Sequence, residues 1–113
     1  MPTRCSVMIC IAALSKDINS EIAPELGKSI YFFMLDPEMN DMKITSNTSL
    51  GAGGALRPNI SDLRTARILV RTGVRMLITG GIRKGALEIL TNAGVVVVIA
   101  EGRIKEILGR CCC

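Results

Sequence analysis

Residues 60 to 99 run twice through one pattern. An apolar-striped helical segment ends at a glycine, and a short apolar run follows. In the first pass Leu63, Ala66, Leu69 and Val70 form the stripe, Gly73 the stop and Met76-Leu77-Ile78 the run. In the second, Ala86, Ile89, Leu90 and Ala93 lead through Gly94 to Val95-Val96-Val97-Val98-Ile99. Stripes of this spacing are amphipathic helices, and glycine just past the last turn is a C′ stop. Strands joined through helices lie parallel with right-handed crossovers. The chain is therefore held to an α/β sheet with helices on its faces.

The segments before residue 60 complete that sheet. Val7 to Ala13 is a continuous apolar run, the mark of a strand covered on both faces, and should be central. Ile30 to Leu35 reads as a second strand. Asp41 to Asn47 alternates apolar and polar residues as a half-exposed third strand, the short DPEMN turn closing a hairpin. Ser61 reads as the N-cap of the first helix with Asp62 in its first turn. Val95 to Ile99 reads as a last buried strand and Arg103 to Leu108 as a short closing helix. The element order is β-β-β-α-β-α-β-α. Three antiparallel strands come first, and the later strands add in parallel on the other side of the first. The long segments 14 to 29 and 48 to 59 read as loops.

At 113 residues this is one domain able to bury a core without staples. An ordered core over 5–109 and a flexible cysteine tail over 110–113 are expected. Aromatics are 3% of the chain, so the core is aliphatic and stacking platforms for nucleic-acid bases are lacking. Residues 1 to 56 carry four cations against six acids, and residues 57 to 113 ten against four. That asymmetry favours an anionic partner. Five cysteines, three of them the terminal triplet Cys111-Cys112-Cys113, make a poor disulfide framework. No run approaches the length of a membrane helix. A cytoplasmic protein, with no nucleic-acid or membrane partner, is the expectation.

The stretch TGGIRKGA, residues 79 to 86, follows directly on the fourth strand. In an open α/β sheet, ligands favour the crevice where connections diverge at the strands' carboxyl ends. Ser15 and Lys16 after the first strand, Gly27, Lys28 and Ser29 before the second, and Thr79, Gly80, Gly81, Arg83 and Lys84 after the fourth should face it. Gly53 and Gly54 in the mobile GAGG segment join them. Glycines let backbone amides approach a ligand, the following helix offers a positive N-terminus, and two cations add full charge. The same residues also suit a plain strand-to-helix turn with solvated cations. Neither glycine stretch ends in GK[ST], so neither is a P-loop.

The segments IAALSKDINSEIAPELGKSIYFFMLD, GAGG and LVRTGVRMLITGGIRKGALEILTNAGVVVVIAEGRIKEIL, in that order, resemble the dinitrogenase iron-molybdenum cofactor biosynthesis family of the NifX and NafY type. The likeness runs over about residues 7 to 108. It implies a ribonuclease H-like fold, no enzymatic reaction, and transient carriage of an anionic metal-sulfur cluster or its precursor. Cluster donor and acceptor proteins would be the partners, and the chain a monomer or weak homodimer. Two departures matter. Glu25-Leu26 stand where many members carry phenylalanine before the glycine, often after histidine or arginine, and this chain has no histidine at all. Imidazole-to-metal bonding is thereby excluded. The family's I-G-P run is here Ile82-Arg83-Lys84, charge in place of a close-approach glycine.

Other constellations point to less. Nuclease chemistry needs converging carboxylates, and the first strand supplies none. Cys10, between Ile9 and Ile11, reads as core. The terminal cysteines lack C-x-x-C spacing. Arg64, Arg67, Arg71 and Arg75 read as a basic, solvated stripe. A module for a phosphorylated small molecule or nucleotide, or a regulatory interaction subunit, is the competing reading of the same crevice.

Overall fold

The strand Ile9–Ala13 (β1) is buried along its whole length, because it has a neighbour on each side and helices on each face. The computed structural model describes residues 8–36, 41–47 and 58–110. On one side β1 pairs antiparallel with Tyr31–Asp36 (β2), Ile9 opposite Leu35 and Ala13 opposite Tyr31. On the other it pairs in parallel with Met76–Thr79 (β4), Ile9 opposite Met76 and Ile11 opposite Ile78. Asp41–Ser46 (β3) extends the antiparallel side and Val96–Ile99 (β5) the parallel side, so the sheet order is β3-β2-β1-β4-β5. The helices are Pro58–Arg71 (α1), Lys84–Asn92 (α2) and Ile104–Arg110 (α3).

Strand periodicity divides the core in two. Cys10 and Ala12 point to one face, packing with Leu26, Phe32, Leu77, Ala66 and Leu69 of α1, and Ala86 and Leu90 of α2. Ile9, Ile11 and Ala13 point to the other, with Phe33, Ile78, and Ile104 and Ile107 of α3. Each fully buried Leu, Ile or Phe among them contributes about 1.5–3 kcal/mol of transfer free energy. Gly73 and Gly94 close α1 and α2 with φ of +85° and +87°, left-handed stops as their positions in the sequence required.

Three expectations are corrected. α1 begins at Pro58 rather than after Ser61, since proline's fixed φ suits a first helical position. Asp62 therefore lies inside the helix, and the buried set runs Asp62, Thr65, Ala66 and Leu69. Val95 is buried, but β5 itself is an edge strand, with Val96 56% and Ile99 57% exposed. β3, the other edge, is exposed on both faces rather than one.

The segment between β1 and β2 is not an open loop. It forms a 3-10 turn at Leu26–Lys28 and bridges at Ala13 to Ile22 and Glu21 to Arg103. The amide of Ile22 donates to Gly102 and that of Ala23 to Ala12. It thus runs across the carboxyl end of the sheet from the α3 side to the α1 side.

Candidate anion site at the start of α2

Thr79 ends β4 fully buried, its hydroxyl donating to the Gly81 carbonyl at 3.1 Å. The Gly80 amide donates to Ala23 O at 2.8 Å, and Gly81 O accepts from the Leu26 amide at 2.9 Å. A Cβ on Gly80 would lie 2.7 Å from Ala23 O, and one on Gly81 2.6 Å from Pro24 O. Backbone approaches backbone here so closely that no side chain fits. The glycines do serve a close approach, and what approaches is the chain's own segment 23–26.

Beyond that seam the chain turns into α2. Arg83 is its N-cap with extended backbone and no side-chain cap, and Lys84 opens the helix, exposed. The first amides of any helix have no partner one turn back, and the macrodipole makes that end positive. Two full charges stand on it.

One acid faces them. Asp62 Oδ2 on α1 lies 3.6 Å from Arg83 Nε, with side chains 3% and 52% exposed respectively. The backbone at Arg83 and at Gly27 also lies close enough to favour the ionised carboxylate. Among the described residues Oδ2 itself has no hydrogen-bond partner. Burial raises the Asp62 pKa above the ordinary aspartate value, the Arg83 charge and the nearby backbone at Arg83 and Gly27 oppose that rise, and Glu25 adds to it. Sequence reasoning gave Asp62 a helix-start role and missed it as part of the site. The available signal was its spacing from Thr65, Ala66 and Leu69, which puts an acid on the buried stripe.

The structure thus brings Gly27, Thr79, Gly80, Gly81, Arg83 and Lys84 together with Asp62. Lys28, exposed, ends the 3-10 turn whose first residue, Leu26, bonds Gly81. Ser29 is buried, its hydroxyl donating to the Leu26 carbonyl, while the Asn47 side-chain amide donates to Ser29 O at 2.8 Å. Its polar atoms serve packing between β3, the turn and α1, where Thr65 joins them. Ser15 accepts from the Asp17 amide, and Lys16 stands 5.7 Å from the Tyr31 ring centroid. Among the described residues no hydrogen bond or ion pair joins Ser15 or Lys16 to the turn at 80–84. Gly53, Gly54 and the terminal cysteines lie outside the described residues.

Metal ligation finds little here. No three His, Cys, Asp or Glu side chains cluster among the described residues. Burial pushes the Cys10 thiol far above its ordinary pKa, so it stays protonated. Arg64, Arg67 and Arg71 are exposed on α1 and Arg75 just before β4. No helix among the described residues is long and apolar enough to cross a membrane.

Among curated proteins none matches the chain. Solved structures do. The apo form of the orange protein from Desulfovibrio gigas superposes with a TM-score of 0.78 at 22% identity, covering 96% of this chain and 88% of that one. A Thermotoga protein described as NifB gives 0.70 at 26%, with 91% and 84% covered. A Methanocaldococcus jannaschii protein described as a dinitrogenase gives 0.58 at 14%, with 96% and 93% covered. These likenesses fix a mixed α/β fold. The family model described as dinitrogenase iron-molybdenum cofactor matches residues 7–112, nearly the whole sequence, and the chain belongs to that family.

Proposed function

We propose that this chain is a non-catalytic carrier or scaffold for an anionic metal-sulfur cluster or its precursor, held by charge and backbone amides rather than by metal ligation. The observation that carries the reading is Arg83 and Lys84 at the start of α2, whose N-cap side chain makes no capping hydrogen bond, at the carboxyl end of a parallel strand. An anion there meets unsatisfied amides, a positive helix end and two cations at once. Lys28 stands on the neighbouring turn. Membership of the iron-molybdenum cofactor family and the likeness to the orange protein point to a metal-sulfur guest among the possible anions. On this reading the sheet is of the ribonuclease H-like kind and the protein works in the cytoplasm. It meets cluster donor and acceptor proteins as a monomer or weak homodimer.

Because the guest is held by charge, the terminal cysteines are not its ligands. Anaerobic mixing with molybdate, copper or iron, and sulfide should give a visible band that travels with the protein on gel filtration. The band should survive replacement of Cys111, Cys112 and Cys113 by serine. A protein that takes up no colour, and instead shows salt-sensitive amide shifts at residues 81–86 with nucleotides, is a phosphate-binding module. Colour lost with the cysteines would move the ligands to the tail.

A further inference from the structure

The corner that should attract an anion already contains one. Asp62 is buried, and its Oδ2 lies 3.6 Å from Arg83 Nε with no hydrogen-bond partner among the described residues. An ionised Asp62 therefore does two things to an arriving guest. It repels the guest directly, and it holds part of the charge of Arg83 for itself. We propose that Asp62 is a built-in competitor that links anion capture at the start of α2 to proton uptake, the guest binding best with Asp62 protonated and leaving more readily when Asp62 ionises. This inference rests on the anion-binding reading given above.

The surroundings of the carboxyl are unequal. From the start of α2 it faces Arg83, which favours the ionised form. From the segment at the 3-10 turn it faces the Glu25 carboxylate, which disfavours it, and the Gly27 backbone, which favours it. On α1 itself its buried neighbour Thr65 carries no charge, and Arg64 is exposed. Burial outweighs the attractions and moves the group toward its neutral form even without a guest. A negative guest at Arg83 pushes in the same direction. Linkage is reciprocal: the factor by which protonation tightens binding is the factor by which binding favours protonation. The proton comes from solvent on capture and returns to it on release. Asp62 is thereby the residue that sets the charge selectivity of the site, and unloading is easier into a less acidic environment.

Sulfate tests this independently of metal-sulfur chemistry, because its charge stays constant across the useful range. Titrations followed by amide shifts of residues 81–86, from about pH 4, near the ordinary aspartate value, to about pH 8, should show wild-type affinity falling about tenfold or more as pH rises. Asp62→Asn should bind at every pH about as wild type does at the acid end. In the wild-type protein the Asp62 carboxyl, read by carbon NMR, should titrate at higher pH with sulfate than without. Any of three results overturns the inference: the same pH profile in both proteins, weaker binding by Asp62→Asn throughout, or an Asp62 titration that sulfate leaves unmoved. Wild-type protein that binds no sulfate at any pH also overturns it. Failure of the coloured reconstitution alongside the expected sulfate behaviour would instead remove only the metal-sulfur guest.

Discussion

Gly81 and the carbonyl of Pro24 stand so close that a Cβ on the glycine would lie 2.6 Å from that oxygen. The segment after β1 and the turn after β4 are therefore joined backbone to backbone, and the start of α2 is positioned by that seam. Gly81→Ala should destabilise the protein by about 1–3 kcal/mol through overpacking. Gly109→Ala, in α3 with no described residue within 4 Å of the new Cβ, should stabilise it by about 0.5–1 kcal/mol. Urea midpoints of the two variants check this, and equal midpoints would deny the seam its role.

Asn47 ties the end of β3 to Ser29 and to Thr65 of α1, and all three are buried. Asn47→Ala leaves Ser29 O without that donor inside the protein, at a cost of about 1–3 kcal/mol. A denaturation curve unchanged from wild type would mean water replaces the amide.

Stability should also report on Asp62. Its folded pKa is raised above the ordinary 3.8, so the native state binds more protons than the unfolded chain between the two values. The contribution of Asp62 is fully present below the ordinary value and is lost as pH rises through the folded one. Asp62→Asn stays neutral throughout. Its urea midpoint should exceed that of wild type near neutral pH, with the gap closing as pH falls toward about 4. A gap that widens on acidification would contradict this.

Exposed and buried aliphatic residues of the sheet should separate sharply. Val96→Thr and Ile99→Thr, on the open edge strand, should change stability by no more than about 0.5 kcal/mol. Ile11→Ala, fully buried in β1, should cost about 2–5 kcal/mol. Thermal or urea unfolding of the three decides whether β5 is as uncovered as it stands.

What the sequence made legible follows from which signals are local. The central strand, the C′ glycines at 73 and 94 and the chain order of elements rest on short-range pattern, and these are all present. The burial of Asp62 shows in the sequence only as its spacing from Thr65, Ala66 and Leu69, while its meeting with Arg83 does not show, because the start of α2 that faces it comes from a distant part of the chain. The valines of β5 are a buried strand by residue type, but exposure depends on how many strands the sheet has beyond it. At Gly80 and Gly81 residue type disclosed a close approach and not its partner, since Ala23 and Pro24 arrive from almost sixty residues away.

The central claim is that Arg83 and Lys84 at the start of α2 capture an anionic metal-sulfur species by charge. An anaerobic titration with tetrathiomolybdate, read as visible absorbance retained after gel filtration, compares wild type with the Arg83→Ala plus Lys84→Ala variant. Binding by wild type and about tenfold or greater weakening in the variant, with its folding unchanged, is the predicted result. Equal affinity in the two proteins would contradict the account.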